Sequence, residues 1–282
     1  MLKNTMQPVR RDLDFKLPAN RINDWHYRGV HTSTFFNTMS LFFPVGERFF
    51  IHSVRHYRDR IKDPELQKAV AGFIGQEAMH GREHEEYNEH AAAAGLPVLE
   101  IEKSVGKLLE WTQKHNRPAE QLAATVALEH LTSILADIVL REPRVLGDSE
   151  AHYRDLWTWH ALEETEHKAV AFDVYVQVMG KHPLRYFLRT GAFVVANVIF
   201  WTLLSRYYWR NLAAQGQQWN LRGWLTALSH QWGSVGVFRR VIPAWFSYFK
   251  PGFHPWDHDN RAELARLNEL NRRYAAPLAS AA

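Results

Sequence analysis

The chain has no cysteine. That excludes disulfides, thiolate metal sites, iron–sulfur clusters and a cysteine nucleophile. Glycine (15) and proline (12) are few in 282 residues, which argues against collagen-like, low-complexity and loop-dominated all-β folds. No alternating strand pattern of any length and no internal repeat is present. Nicotinamide and flavin fingerprints are missing too. Acids are missing from one long stretch: none lies between Asp173 and Asp257. The charges Lys3, Arg10, Arg11, Asp12 and Asp14 interrupt any apolar run at the start, so no signal peptide is read and the expected location is cytoplasmic.

What is present is a folded composition, with 46% hydrophobic and 23% charged residues. The net charge of +4 hides an asymmetry. Residues 1–180 carry 21 Lys and Arg against 26 Asp and Glu; residues 181–282 carry 13 against 4. Seven of the eleven Trp fall in the acid-free stretch: Trp201, Trp209, Trp219, Trp224, Trp232, Trp245 and Trp256. Three regions are expected: an N-terminal extension (1–36), a helical bundle (37–180) and an aromatic, basic helical extension (181–282).

The bundle region reads as long helices. Asn37 to Ile61 recurs apolar at helical spacing and is expected to start near Phe43. Asp63-Pro64 begins a second helix that runs to Gly95. Residues 98–114 form a shorter connector. Arg117-Pro118 opens a helix to about Leu140, and Asp148 or Ser149 caps another that ends at Gly180. The tail from Asp257 to Tyr274 reads as one amphipathic helix. The fold expected is all-α, with a four-helix bundle at its centre.

With thiolates excluded, any metal must be held by His and carboxylates. The four long helices offer Glu47, then Glu77-x-x-His80, then Glu129, then Glu164-x-x-His167. One Glu from each of two helices and a Glu-x-x-His from each of the other two is the ligand set of ferritin-like di-metal carboxylate bundles. Residues three apart share a helix face, so each Glu-x-x-His presents a carboxylate and an imidazole to one interior point. Four carboxylates offset two divalent cations; without metal, several would take up protons. From 19 Glu and 16 His, about one Glu-x-x-His is expected by chance. The chain has two, on separate helices, and Glu47 and Glu129 interrupt otherwise apolar faces. His160 extends the stripe as His160-x-x-x-Glu164-x-x-His167 and is expected to be a seventh ligand. His84 is a further ligand or a partner of one. Glu163 and Glu166 point to other faces, and His130 lies about 100° off the site and is structural.

The order Glu47, Glu77-x-x-His80, Glu129, His160-x-x-x-Glu164-x-x-His167 resembles the di-iron arylamine N-oxygenases. Over about residues 30–260 the chain resembles more closely a bacterial family labelled "predicted metal-dependent hydrolase". That likeness is carried by PVGERFF (44–50), QEAMHGREH (76–84), ALEH (127–130), WHALEETEHKAVAFDVY (159–175) and KPGFHPW (250–256).

Carboxylate-rich sites with few imidazoles suit iron, with manganese or zinc as alternatives. The expectation is two irons that activate O₂ to oxidise or oxygenate an apolar organic substrate. A separate reductase would donate the electrons. Hydrolysis by paired metals is the alternative. A non-enzymatic iron-binding protein is the second alternative, against which the aromatic appendage argues. Between Arg189 and Arg206 lie sixteen uncharged residues. As a helix they span roughly 24 Å, short of the ~30 Å hydrocarbon core. The aromatic–basic region is therefore read either as plain packing around the bundle or as contact with a membrane, peripheral on its inner face rather than a full span, which that length and Asn197 disfavour; membrane contact of either kind implies a lipid or other apolar substrate. Nucleic acid is disfavoured, because the positive charge is mixed with large apolar runs. Association into a homo-oligomer stays open.

Overall fold

The computed structural model describes residues 6–275; residues 1–5 and 276–282 of the two flanking regions lie outside the described residues. The architecture is all-α, as expected. The helices are α1 (Val30–Ser40), α2 (Phe43–Arg55), α3 (Pro64–Ala93), α4 (Val98–His115), α5 (Pro118–Arg141), α6 (Ala151–His167), α7 (Val170–Met179), α8 (Arg185–Ala214), α9 (Leu221–Trp232), α10 (Val237–Ser247) and α11 (Leu267–Tyr274). Among the described residues the only β pairing is an isolated bridge between Leu13 and Ala275.

Helices α2, α3, α5 and α6 pack together and define the bundle, with α7 continuing the line of α6. Local chemistry explains the starts. Asp63 Oδ1 accepts from Glu65 N (2.9 Å) and Leu66 N (3.3 Å), and Pro64 needs no partner for its missing N–H. Glu120 caps α5 by accepting from Arg117 N at 2.8 Å. α2 begins at Phe43, where the sequence placed it.

Three expectations need correction. First, a helix that the sequence pattern does not mark, α1, spans the boundary between residues 36 and 37. It is buried nearly all round, and its buried side chains are largely hydroxyls and amides: Thr32, Ser33, Thr34, Asn37, Thr38 and Ser40. Such a helix has no amphipathic stripe to read. Second, the cap of α6 is Glu150, which accepts from Tyr153 N at 3.1 Å, while Ser149 Oγ instead serves Leu146 O and Tyr27 N. The same helix does not run to Gly180: it breaks after His167. No Gly or Pro lies there. At the break Lys168 Nζ is drawn away to His258 O and Asn260 Oδ1, both at 2.7 Å, and sits over the Trp256 ring. Third, the tail is a 3₁₀ segment (Arg261–Arg266) followed by a short α11, not one helix from Asp257.

The N-terminal segment crosses the bundle in extended form. Its path over α3 requires Gly72 and Gly75: a Cβ on Gly72 would lie 2.1 Å from Pro8 O, and one on Gly75 would lie 3.0 Å from Arg10 Cβ. Phe15 then inserts beside Trp159 and Tyr274, with ring centroids 5.3 and 4.7 Å apart. On the opposite side α8 runs for 30 residues along α5 and α1. It is anchored by Asn211 Nδ2 to Thr38 Oγ1 (2.9 Å) and by Arg189 to Tyr248 O (2.6 Å).

Gly72→Ala is expected to destabilise the protein by about 1–3 kcal/mol, because the atom it meets is backbone and has to move. Thermal unfolding measures this; at about 2–4 °C per kcal/mol the midpoint falls by several degrees. An unchanged midpoint would mean that the segment is not held against α3.

Candidate metal centre

Each ligand candidate is buried, and each comes from one of the four bundle helices. Glu47 comes from α2, Glu77 and His80 from α3, Glu129 from α5, and His160, Glu164 and His167 from α6. Three overlapping sets bring ligand atoms within 4.8 Å of one another: Glu47, His80 and His160; Glu77, His80 and Glu164; Glu77, Glu129 and His167. All seven residues singled out in the sequence therefore meet in one place, and Glu77 and His80 each belong to two sets. His167 Nε2 stands 3.1 Å from Glu77, 3.6 Å from Glu129 and 3.7 Å from Glu164. His160 Nε2 lies 3.2 Å from Glu164 Oε1, and its ring stacks on His80 at 4.2 Å.

The imidazoles are oriented from behind. Gln76 Nε2 donates to Glu166 Oε2 (2.5 Å) and to Val9 O (3.2 Å), so its Oε1 faces His167 Nδ1 at 3.0 Å and must accept from it. His167 Nε2 is then bare and aimed at the carboxylates. A second chain fixes His160. Asn88 Nδ2 donates to Ser40 O and Glu102 Oε1, so Asn88 Oδ1 accepts the Ser40 hydroxyl proton at 2.7 Å. Ser40 Oγ in turn accepts from His84 Nδ1 (2.8 Å), and His84 Nε2 accepts from His160 Nδ1 (2.9 Å). This leaves His160 Nε2 with its lone pair toward the site. His84 is thus a partner of a ligand candidate and belongs to none of the three sets. Glu163 sits 3.2 Å from His80 Nε2 and is itself held by Arg11 at 3.0 Å, which also grips Glu166. Hydrogen-bonded partners of this kind fix ring orientation and tautomer at metal sites.

Glu163 and Glu166 are, as expected, outside the three sets, yet they support the site. Gln76, Arg11, Ser40, Asn88 and Thr132 carried no sequence signal beyond Gln76 preceding Glu77. His130 is structural: it packs against Tyr248 at 4.7 Å, and its Nε2 meets Ala244 O at 3.3 Å.

The electrostatics show what the site requires. Burial, then the neighbouring carboxylates, push Glu47, Glu77 and Glu129 well above the ordinary carboxylate range. Burial alone would raise Glu164 as well, but the His160 and His167 imidazoles beside it hold it well below. Burial, then the other imidazoles, keeps His80 neutral. Burial raises Glu163 to about 8 despite Arg11. Both oxygens of Glu47, Glu77 and Glu129, both nitrogens of His80, and Nε2 of His160 and His167 are buried without a hydrogen-bond partner. Each such atom costs about 1–3 kcal/mol. Hard carboxylate oxygens with three imidazoles fit two divalent first-row ions, which would satisfy these atoms and offset the four carboxylate charges.

Glu129→Ala is expected to cost at least one metal ion per chain, read by elemental mass spectrometry. Gln76→Leu removes the acceptor behind His167 and should weaken metal binding by about 10- to 100-fold with the fold intact. Three carboxyls hold protons in the metal-free protein, and the metal must displace them. Affinity is therefore expected to rise with pH, by about tenfold per unit for each proton released. A pH-independent affinity in a competition titration would contradict this protonation scheme.

No curated protein and no solved structure matches the chain. A model of the family described as predicted metal-dependent hydrolase matches residues 9–259. That span contains every ligand candidate and both orienting chains, and on it the chain belongs to this family of predicted metal-dependent hydrolases.

Proposed function

We propose that the protein is a two-metal enzyme, holding iron, that uses O₂ to oxidise or oxygenate an apolar substrate. One observation carries the reading. A cavity of about 450 Å³ ends on Glu47, His160 and Glu164 and is otherwise walled by hydrocarbon from α2, α4, α5 and α8. This volume lies in the range of small-molecule sites. Among the described residues, the polar side chains that line it beyond the ligand candidates are Thr112, Asn116, Glu120 and Thr132, with the indoles of Trp111 and Trp157, and no Lys, Arg or His other than His160 lines it. An ester, amide or phosphoryl group would find little there to recognise it. An alkyl or aryl group needs nothing more than the wall.

The roles of the residues follow. Glu47, Glu77, His80, Glu129, His160, Glu164 and His167 hold the metals, and a pair of ferrous ions there supplies the activation of O₂. Phe43, Phe50, Leu131 and Leu135 bind and orient the substrate by burial alone and exclude water, which protects a reactive oxidant. Thr132 lies where the cavity meets the site; its Oγ donates to Glu164 Oε2 at 2.6 Å and can pass a proton between that carboxylate and the cavity. Electrons come from a separate reductase.

Hydrolysis is the second reading, favoured by the family's description. Paired metals then supply an activated water. One experiment separates the two. Protein loaded with Fe(II) without oxygen is given O₂ and an alkyl or aryl substrate, and O₂ uptake and product mass are followed. We expect O₂ uptake coupled to a substrate that has gained oxygen or lost hydrogen. Ester cleavage that proceeds equally well without O₂ would overturn the proposal in favour of hydrolysis. Ala196→Phe, which fills the cavity away from the ligands, is expected to lower turnover by about tenfold or more while metal content stays unchanged.

A further inference from the structure

The outward faces of α8, α9 and α10 are apolar. On α8, Phe187, Val194 and Val198 recur at helical spacing in solvent, and Val198 is 62% exposed. On α9, Leu221, Leu225, Leu228 and Trp232 form an exposed stripe at intervals of four, three and four, and Leu225 is 68% exposed. On α10, Ile242 and Phe246 are exposed in the same way. Ring contacts knit the three helices together. Trp201 meets Phe238, which meets Trp232, at 5.1 and 5.5 Å. Trp245 meets Phe193 at 5.2 Å, and Trp209 meets Trp219 at 5.3 Å. The exposed residues therefore border one shared aromatic seam. A soluble monomer rarely leaves so much contiguous apolar surface uncovered.

Charge identifies the occupant. Residues 174–256, which hold all three helices, contain nine Lys and Arg and no acid. Lys181, Arg206, Arg222, Arg239 and Lys250 are exposed there. Trp209, Trp219 and Trp232 are also exposed, with the amphipathic rings that favour headgroup depth. Arg210 and Arg240 are paired with Glu100 and Glu142 from other elements, and the positive charge left over is complementary to an anionic lipid surface. Both α5 and α8 are long and apolar enough to cross a membrane, and we read neither as a span. α5, apolar enough by composition, is enclosed in the bundle and carries Glu129. α8 is long enough, but its other face is committed to the protein through Arg189, Asn197 and Asn211.

The cavity opens onto this face. Val195 and Ile199 line it and are also exposed, as is Trp111 across from them on α4. We propose that the α8–α10 face rests on an anionic lipid bilayer, so that the mouth between α4 and α8 draws a membrane-resident acyl chain into the cavity. The docking surface stands on the exposed residues and charge alone; the acyl substrate rests in addition on the cavity's being the substrate site.

The test uses the full chain and vesicles of phosphatidylcholine, with or without phosphatidylglycerol, in a sedimentation assay. Binding is expected to the anionic vesicles, weakened by salt, and at least about tenfold weaker for Val194→Glu/Val198→Glu and for Leu225→Glu/Leu228→Glu. These four residues touch neither the cavity nor the ligand candidates, so both variants should keep wild-type metal content and wild-type O₂ uptake with a short soluble substrate. Absence of vesicle binding, or variants that bind as the wild type does, overturns the docking proposal. So does a dimer in solution that the variants dissociate, which assigns the face to a second copy of the chain. Vesicle binding without any O₂ reaction leaves the docking surface standing and removes the oxidation reading.

Discussion

Four carboxylates and three imidazoles share a bundle interior that supplies them with almost no hydrogen-bond donors or acceptors of its own. That single constraint organises the molecule. Apolar neighbours such as Phe43 and Phe73 press against the imidazoles, and the cavity that reaches the ligand candidates is lined mainly by hydrocarbon. The charges must then be met by protons or by cations. Their arrangement, with Glu77 and His80 each common to two of the ligand sets, favours cations. Buried charge is tolerated in proteins where it is paired or bound to metal.

The layer behind the ligands shows the same constraint at work. His160 and His167 present Nε2 inward because each Nδ1 proton has a committed acceptor, His84 for one and Gln76 for the other. Gln76 is fixed in turn by Val9 O and Glu166, which accept from it, and His84 is fixed through Ser40 Oγ and Asn88, whose amide donates to Ser40 O and Glu102. The N-terminal segment belongs to this layer. Arg11 binds Glu163 and Glu166, and it reaches them only because Gly72 and Gly75 let the chain cross α3. A tail that looks dispensable in sequence is part of what orients the site.

The cluster of ligand candidates was legible because its chemistry forces a pattern: acid and imidazole three apart on a helix, and lone acids where hydrophobes belong. The boundaries of α3 and α5 were legible for a similar reason, since Asp-Pro and Arg-Pro-x-Glu act locally. What could not be read was tertiary. α1 is buried on every side and satisfies its hydroxyls and amides against distant residues such as Ile22, Tyr87 and Asn211, so no periodicity marks it. The break after His167 comes from Lys168 reaching a segment ninety residues away. Ser40, Asn88 and Thr132 matter through geometry that no spacing rule encodes.

The metal centre and the aromatic extension meet at one cavity, which runs from Glu47 and Glu164 to the flank of α8. Reaction type and substrate both depend on metals occupying the bundle. The most direct test is the metal content of protein grown with iron, manganese and zinc all available, measured per chain by elemental mass spectrometry. Close to two iron ions per chain is the predicted result. A folded protein that retains no metal under those conditions would contradict the account, because the buried carboxylates would then be held by protons alone.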